Sequence, residues 1–143
     1  MTIAAILDRN KEREIVSVGA DTLVREAVAL LAEKRIGAMP VLEGGKVAGI
    51  VSERDVIYCL KSDGAAILDW PVSRIMTAPA ITIERAVPAL AALSQMTRRR
   101  IRHLPVVEEG KLVGIVSIGD LVAYRISRIE DEAEAMRAYI QSA

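Results

Sequence analysis

Two segments of the chain share a pattern that could bind a polar ligand: a glycine, two apolar residues, a serine and, three residues after the serine, an aspartate. They are Gly49-Ile50-Val51-Ser52-Glu53-Arg54-Asp55 and Gly114-Ile115-Val116-Ser117-Ile118-Gly119-Asp120. A serine at a helix start offers a hydroxyl beside free backbone N–H groups, which suits a phosphate, and the aspartate can accept hydrogen bonds from paired hydroxyl groups. The same two residues also cap ordinary helices, where the serine contributes ~1 kcal/mol. The spacing alone favours the cap.

Basic residues are concentrated in one run, Arg98-Arg99-Arg100-Ile101-Arg102-His103. Its first three arginines fit the end of a helix, where cations complement the helix dipole, whereas Arg102 and His103 follow that helix. The chain has 19 Lys and Arg against 19 Asp and Glu, so its formal net charge is zero. This balance gives no general attraction for nucleic acid or an anionic membrane, and the run lacks interleaved aromatic residues on which bases could stack. Nucleic acid is therefore not an expected partner.

The remaining reactive residue types are too few to indicate a catalytic or metal centre. His103 is the single histidine and Cys59 the single cysteine, so the sequence offers no histidine cluster and no internal disulfide. No Ser–His–Asp set or carboxylate pair suited to catalysis emerges, and Gly44-Gly45-Lys46 lacks the spacing of a phosphate-binding P-loop. We therefore expect no catalytic residue, no metal site and no enzymatic activity, and we expect Cys59 to be an inert residue of the core.

The two serine–aspartate patterns belong to a longer internal repeat. Pro40 and Pro105 lie 65 residues apart, and at this offset the segment 49–52 matches 114–117 residue for residue. Upstream, Arg35-Ile36 falls on Arg100-Ile101. Matches that cluster at the same Pro, Gly and Asp positions indicate a duplication of one unit rather than chance.

Each copy predicts the same order of elements: strand, helix, strand, strand, helix. The first helix is expected to begin with Asp21 or Thr22 as its cap, and its counterpart in the second copy to begin with Pro88 in its first turn. Gly45 and Gly110 suit hairpin turns, because glycine adopts positive φ at low cost. The predicted strands are 15–18, 38–42 and 47–51 in the first copy and 80–83, 103–107 and 112–116 in the second.

The size of one copy determines how the two must be arranged. A unit of about 45–60 residues is only marginally stable alone, whereas two units packed sheet against sheet share a larger core. We therefore predict an α/β fold with both copies in one module of pseudo-two-fold symmetry. The predicted organisation is a first copy at 10–62, a linker at 63–76, a second copy at 77–126 and a C-terminal helix extension at 127–143.

The C-terminal segment carries an apolar pattern of its own, outside the repeat. It forms a heptad-like seam with spacings of 4, 3, 4, 3 and 4 on an otherwise charged helix. The seam either packs back onto its own module or contacts a second subunit, and we favour the second subunit. Its residues are Val122, Ile126, Ile129, Ala133, Met136 and Ile140.

The duplicated unit resembles the CBS domain, the regulatory repeat named after cystathionine β-synthase. The resemblance depends on the Gly-apolar-apolar-Ser-x-x-Asp pattern at 49–55 and 114–120 and on the apolar-Pro-Val segments upstream. Ile75-Met76-Thr77 also looks like the usual entry to a second CBS repeat. The resemblance covers residues 10 to 125, and it implies a stand-alone CBS pair, or Bateman module, with no catalytic or transporter domain attached.

The resemblance implies a regulatory protein that binds adenosine-containing ligands, namely AMP, ADP, ATP or NAD(H), and signals energy or redox state to a protein partner. It also implies a homodimer. Basic residues at the positions of Arg102 and His103 reach a ligand phosphate in the family, either at the second copy's site or, through the pseudo-symmetry, at the site of Ser52. The alternative is a ligand-independent adaptor or oligomerisation module. The implied ligand-binding residues are Val18, Ala38, Met39, Pro40, Ser52, Arg54, Asp55, Thr77, Ala80, Ile81, Arg102, His103, Leu104, Pro105, Ser117, Ile118, Gly119 and Asp120.

The N-terminal residues and the apolar stretches bear on localisation. The segment 1–8 is too short and is charged too soon to be a signal peptide, and no uncharged apolar stretch reaches the ~18 residues that span a bilayer. We therefore expect a cytoplasmic protein that has no membrane partner and no catalytic cofactor.

Overall fold

The computed structural model describes residues 1–142, and Ala143 of the predicted C-terminal extension lies outside the described residues. Within residues 1–142, two three-stranded sheets are combined with five α-helices and two 3₁₀ turns, Gly64–Asp69 and Val72–Arg74. The α-helices are α1 (Ile3–Arg9), α2 (Val24–Lys34), α3 (Glu53–Asp63), α4 (Ala89–Arg99) and α5 (Ile118–Ser142). The strands are β1 (Val18–Gly19), β2 (Ala38–Glu43), β3 (Lys46–Ser52), β4 (Ile83–Glu84), β5 (His103–Glu108) and β6 (Lys111–Ser117).

The two sheets are copies of each other. In the first sheet, β1 pairs in parallel with β2 and β2 pairs antiparallel with β3, and strands β4, β5 and β6 repeat this order. The register is repeated as well, since Pro40 lies opposite Ile50 and Pro105 lies opposite Ile115. The predicted α/β fold with a duplicated unit is therefore confirmed.

The first strand of each copy is shorter than predicted and lies further along the chain. We expected strands at 15–18 and 80–83, but β1 and β4 have two residues each, Val18–Gly19 and Ile83–Glu84. The residues before each strand run beside the gaps between the two copies, where Val16 and Ile81 are half-buried. They contribute to the walls of those gaps instead of pairing with β2 or β5.

The start of α2 also differs from the prediction. Neither Asp21 nor Thr22 caps this helix, and Leu23 occupies the cap position without a side-chain hydrogen bond. Instead, the N–H of Val24 donates to the carbonyl oxygen of Trp70 at 2.8 Å. A backbone carbonyl from a distant part of the chain thus satisfies the helix start that we had assigned to a side-chain cap.

The shared core that we predicted is not found among residues 1–142, because the buried residues form two separate aliphatic clusters, one in each copy. Each core is completed by one bracing segment: residues 64–76 for the first core and residues 1–9 for the second. Ile67 and Val72 of the first bracing segment are fully buried, so the predicted linker at 63–76 is folded against the first copy. Ile3 and Ile6 of the second are likewise buried in the second core. The N-terminal helix therefore belongs structurally to the second copy.

The glycine of each Gly-x-x-Ser-x-x-Asp pattern lies where a bracing segment crosses the hairpin. A Cβ atom added at Gly49 would lie 2.7 Å from Met76 Sδ and 2.8 Å from the carbonyl oxygen of Thr77. A Cβ atom added at Gly114 would lie 2.7 Å from Leu7 Cδ2. Both distances are too short for a real side chain, so the two glycines permit the close approach of the bracing segments.

Helix α5 is continuous from Ile118 to Ser142, so the predicted extension prolongs the last helix of the second copy. Leu121 and Tyr124 are its buried residues. Apart from half-buried Ala133, the seam residues are 44% to 65% exposed, so the seam does not pack back onto its own module. Within residues 1–142, no helix is both long enough and apolar enough to cross a bilayer. Cys59 is half-buried and packs against the first core.

Candidate functional site

Ser52 and Asp55 form a reciprocal cap at the start of α3. The N–H of Asp55 donates to Ser52 Oγ at 3.1 Å, and the N–H of Ser52 donates to Asp55 Oδ2 at 2.9 Å. The N–H of Glu53 donates to the carbonyl oxygen of Gly37 at 3.0 Å. Two of the first three N–H groups of α3 therefore already have protein partners. This helix start has fewer free N–H donors for a ligand phosphate than the sequence pattern suggested.

The segment that follows the first bracing segment is held against this cap. Thr77 Oγ1 donates to Asp55 Oδ1 at 3.1 Å, and the backbone of Thr77 exchanges hydrogen bonds of 2.9 and 3.0 Å with Ile50. These contacts place Ala80 and Ile81 beside the end of β3, where they form an apolar wall next to the Asp55 carboxylate. A carboxylate oxygen has more than one acceptor site, so Asp55 can still accept hydrogen bonds from a ligand.

Ser117 and Asp120 form the same cap at the start of α5, but Asp120 has a different partner. The N–H of Ser117 donates to Asp120 Oδ2 at 2.9 Å, and Arg13 forms an ion pair with Asp120 Oδ1, also at 2.9 Å. Burial opposes ionisation of Asp120, but the hydrogen bonds from Ser117 and Arg13 outweigh it and hold the pKa of the carboxyl below its usual value. The Asp120 carboxylate of the second copy thus pairs with an arginine, whereas the Asp55 carboxylate of the first copy accepts a hydrogen bond from a threonine.

The cap of the first copy opens onto a cleft of about 260 Å³, which we call the first cleft. Its walls come from both copies: β2, β3 and the start of α3 on one side, and the junction of α4 and β5 on the other. It is lined by Gly37, Ala38, Ile50, Ser52, Glu53, Arg54, Asp55, Thr77, Pro79, Ala80, Ile81, Arg100, Ile101, Arg102 and His103.

The cap of the second copy opens onto a second cleft of about 480 Å³ at the pseudo-symmetric position. Gly37, Ala38 and His103 line both clefts, so the two clefts are neighbours across the starts of β2 and β5. The second cleft is lined by Arg13, Glu14, Val16, Lys34, Arg35, Ile36, Gly37, Ala38, His103, Ile115, Ser117 and Asp120.

The two clefts differ in how their cations are compensated. In the second cleft, Arg13 pairs with Asp120 and Lys34 pairs with Glu14, both at 2.9 Å. In the first cleft, the three arginines at positions 54, 100 and 102 make no ion pair with any residue from 1 to 142. The linings of the two clefts carry the same formal charge, but the first contains three arginines without an ion pair among residues 1–142 and the second contains one, Arg35.

His103 lies at the start of β5, between the clefts, and is half-buried. Burial lowers the pKa of His103 below its usual value, although the carboxylates of Asp120 and Glu53 act in the opposite direction. The imidazole is therefore neutral at pH 7 in the ligand-free protein. A phosphate placed beside it would favour the protonated form, because it adds negative charge at short range.

Comparison with known families identifies the duplicated unit. The family model of the CBS domain matches residues 11–62 and again residues 72–127. The chain belongs to the CBS-domain family. Its fold also agrees with the solved structure of a CBS-domain protein from Burkholderia ambifaria, which is 39% identical and has a TM-score of 0.82, with 89% of this chain and 95% of that chain covered.

Two further CBS-domain relatives bear on ligand and compartment. A CBS domain protein from Pyrobaculum aerophilum, solved in complex with AMP, is 30% identical with a TM-score of 0.74, and the comparison covers 84% of this chain and 89% of that chain. The mitochondrial CBS domain-containing protein CBSX3 of Arabidopsis thaliana is 34% identical over 126 residues, or 85% of this chain. The matched region spans 61% of the length of CBSX3, and the cytoplasmic location of the present protein stays a prediction.

The structure brings many of the predicted ligand residues of the CBS pair together. Arg102 lines the first cleft only, beside Ser52, which is the second of the two positions that the resemblance implies, and its contact with a ligand phosphate stays a prediction. The first cleft contains Ala38, Ser52, Arg54, Asp55, Thr77, Ala80, Ile81, Arg102 and His103. The second contains Ala38, His103, Ser117 and Asp120.

Seven predicted residues line neither cleft, and for three of them the reason is the direction of the side chain. Strand side chains alternate between the two faces of a sheet, and those of Val18, Met39 and Leu104 point into the cores, where they are buried. Ile118 and Gly119 lie on the first turn of α5 but outside the second cleft. The seven residues are Val18, Met39, Pro40, Leu104, Pro105, Ile118 and Gly119.

Sequence analysis also missed four cationic residues that line the clefts: Arg100 in the first, and Arg13, Lys34 and Arg35 in the second. Arg100 ends α4, as we expected of a residue in this run, and in its left-handed conformation with φ of 55° it also lines the first cleft. Its position in the basic run was the available signal. Arg13 precedes the first strand and pairs with Asp120 across 107 residues, and no local pattern in the sequence indicates such a contact.

Proposed function

We propose that this CBS pair is a regulatory protein that binds an adenosine mononucleotide, AMP foremost, in the first cleft. The observation that carries the proposal is the group of three arginines without an ion pair among residues 1–142, Arg54, Arg100 and Arg102, beside the Ser52–Asp55 cap. A guanidinium group binds phosphate oxygens through a planar fork of N–H donors. These arginines therefore favour a phosphorylated ligand over a neutral nucleoside.

The remaining walls of the first cleft suit the other two parts of such a ligand. Asp55 can accept hydrogen bonds from the two ribose hydroxyls. Ile50, Ala80 and Ile81 supply apolar surface for a flat purine ring, so the low aromatic content of the chain is compatible with adenine binding. In this arrangement the phosphate lies towards Arg102 and His103, which come from the other copy, and the ligand links the two repeats.

The size of the first cleft favours a mononucleotide. Its volume of about 260 Å³ lies just below the range of ~300–1,000 Å³ that is usual for small-molecule sites. AMP has one phosphate and one purine, whereas NAD(H) carries a second nucleotide half that would extend outside the cleft. The AMP bound to the Pyrobaculum aerophilum relative also supports AMP as the first ligand to test.

Comparing AMP with adenosine tests the proposed phosphate contact. By calorimetric titration, Arg102→Ala should weaken AMP binding by about 10- to 100-fold, the scale of a hydrogen bond to a charged group, and change adenosine binding much less. The matched control is Arg99→Ala, because Arg99 lies in the same basic run, at the end of α4, but lines neither cleft. Equal losses for both ligands would assign Arg102 a structural role, and no binding of any adenosine ligand by the wild-type apo protein would refute the proposal.

A ligand-independent adaptor or oligomerisation module is the second candidate function. It is favoured by the two complete helix caps, because Ser52 and Asp55, like Ser117 and Asp120, already satisfy each other without a ligand. The wild-type titration separates the two candidates, since an adaptor of this kind would bind no nucleotide at physiological concentrations.

The remaining expectations are proposals that follow from the regulatory function. We propose that the protein is a homodimer and that its nucleotide occupancy reports energy state to a protein partner. The seam on α5 supports the homodimer, because its apolar residues are exposed in the single chain. The chain is not proposed to be an enzyme, and the cytoplasm is the compartment we propose for it.

A further inference from the structure

Beyond Tyr124, α5 contributes no buried side chain to its own module, although Arg125, Arg128 and Glu132 line a groove beside the start of α4. Leu121 and Tyr124 are the buried residues of this 25-residue helix, so from Arg125 to Ser142 no side chain is buried. Most helical stability in proteins comes from packing an apolar face, and an isolated helical segment of this length is marginal in water. The exposed seam along this part of α5 indicates that a second surface covers it.

We infer that the α5 helices of two copies of this chain form a parallel, in-register coiled coil along the seam. The 4–3 spacing places Val122, Ile129 and Met136 at the d positions of a heptad. Ile126, Ala133 and Ile140 then occupy the a positions, listed in chain order. This inference specifies the orientation and register of a dimer and does not depend on nucleotide binding.

The position of the module on α5 leaves room for a second helix. An α-helix turns 100° per residue, so Leu121 and Tyr124, which face the second core, lie on the side of α5 that is roughly opposite the seam. A partner helix along the seam therefore contacts the free face of α5, and the two modules lie on the outside of the coil.

The charges beside the seam select the parallel orientation. In a parallel pair, each g residue faces the e residue five positions later in the other chain. Arg125 then faces Glu130 of the partner subunit, and Glu132 faces Arg137 of the partner subunit. Both contacts join opposite charges, and two-fold symmetry doubles them to four.

The antiparallel orientation brings like charges together. In an antiparallel pair aligned so that Ile129 packs against Ala133 of the partner subunit, all six seam residues still have an apolar partner. The seam alone therefore does not exclude this arrangement. However, g residues then face g residues and e residues face e residues, so Glu132 meets Glu132 of the partner subunit and Glu130 meets Glu130 of the partner subunit. Like charges at flanking positions disfavour a pairing, and the parallel arrangement is therefore the favoured one.

One intrachain contact competes with these pairs only weakly. Arg128 lies 3.8 Å from Glu132 on the same helix, and both side chains are substantially exposed. A contact at this distance between exposed side chains contributes little, so Glu132 can reorient towards Arg137 of the partner subunit.

Charge reversal tests the predicted pairs without disturbing the fold, because the residues involved are exposed. In a parallel dimer, Glu132→Arg or Arg137→Glu alone creates two repulsive contacts and should raise the dimer dissociation constant by about tenfold or more. An equimolar mixture of the two variants should recover a dimer, since the heterodimer regains both attractions. Glu134→Arg is the control, because residue 134 occupies the b position away from the seam, and it should leave the mass unchanged. Sedimentation equilibrium of the full chain at low ionic strength gives these masses.

Disulfide formation tests the register. In a Cys59→Ala background, Ile129→Cys should cross-link efficiently with Ile129→Cys of the partner chain under mild oxidation, because d residues of a parallel dimer face each other at a distance that a disulfide can bridge. Ala133→Cys paired with Ile129→Cys should cross-link less. A monomer, a trimer, preferred 129–133 cross-linking or a dimer insensitive to the charge reversals would each overturn the inference, and the last of these would leave a dimer formed through the modules.

Discussion

His103 is the one side chain of the basic run that lines both clefts. It lies beside Gly37, where an added Cβ atom would be 3.4 Å from the His103 ring carbon Cε1, close to an ordinary van der Waals contact. Its ionisable neighbours act in opposite directions: Asp120 and Glu53 favour the protonated ring, and Arg102 disfavours it. A ligand in one cleft that changes the protonation of His103 therefore also changes the charge that His103 presents to the other cleft.

This position predicts a pH dependence of AMP binding that His103 controls. In the free protein the lowered pKa keeps the ring neutral at pH 7, and a bound phosphate would raise that pKa, so proton uptake accompanies binding. The affinity for AMP should therefore increase as the pH falls from 7.5 to 6, by up to about tenfold per unit of pKa change. Calorimetric titration at several pH values measures this increase.

His103→Asn is the variant that isolates the effect. AMP itself takes up a proton near pH ~6, which weakens its charge in both proteins alike, so the informative quantity is the ratio of wild-type to variant affinity. That ratio should rise towards pH 6. Parallel pH profiles for the two proteins would place the phosphate away from His103.

At the scale of elements, the two hairpins are packed against unequal partners. Gly49 approaches a backbone oxygen, that of Thr77, in a segment held by two hydrogen bonds to Ile50. Gly114 approaches only the end of the Leu7 side chain, which can change rotamer. The same motif glycine is therefore under different constraints in the two repeats.

These constraints predict different costs for the same substitution. Gly49→Ala should lower the free energy of unfolding by about 1–3 kcal/mol, the usual cost of overpacking, because the Thr77 backbone must move. Gly114→Ala should cost clearly less, since Leu7 can yield. Urea denaturation of the two variants beside the wild type measures both values. A larger loss for Gly114→Ala would mean that the second bracing segment is the more rigid one.

The elements also show where sequence reasoning succeeds and where it stops. The hairpin strands and the serine–aspartate caps were predictable because local periodicity, turn glycines and a repeat at a fixed offset all indicate them. The start of α2 was not predictable, because the N–H of Val24 donates to the carbonyl oxygen of Trp70, 46 residues further along the chain. The partner of Asp120 was equally hidden, since Arg13 reaches it only through the tertiary fold. Local patterns thus predict the helices and strands, whereas long-range contacts decide which of the two aspartates forms an ion pair within the protein.

At the scale of the whole molecule, the pseudo-symmetric fold contains two unequal clefts. The backbone and the caps are repeated, but the first cleft has three arginines without an ion pair among residues 1–142. Its Asp55 accepts a hydrogen bond from a hydroxyl, whereas Asp120 in the second cleft pairs with a guanidinium. A ligand that used Asp120 would have to displace Arg13 and break its ion pair. Duplication therefore supplies two clefts, and divergence at a few positions gives them different free charged groups.

This inequality predicts one strong AMP site in each chain. Wild-type protein titrated with AMP should show a stoichiometry near one per chain at low micromolar concentrations, with weaker binding beyond it. Asp55→Asn should weaken the strong site by about 10- to 100-fold, because the amide lacks the charge that strengthens hydrogen bonds from ribose hydroxyls. Asp120→Asn, the same change at the pseudo-symmetric position, should leave the strong site within about twofold. Both variants keep the size of the side chain, and urea denaturation checks that each is folded at the titration temperature. Two equal sites in the wild type, or a greater loss with Asp120→Asn, would show that the Arg13–Asp120 ion pair opens without appreciable cost and that the second cleft is the principal site.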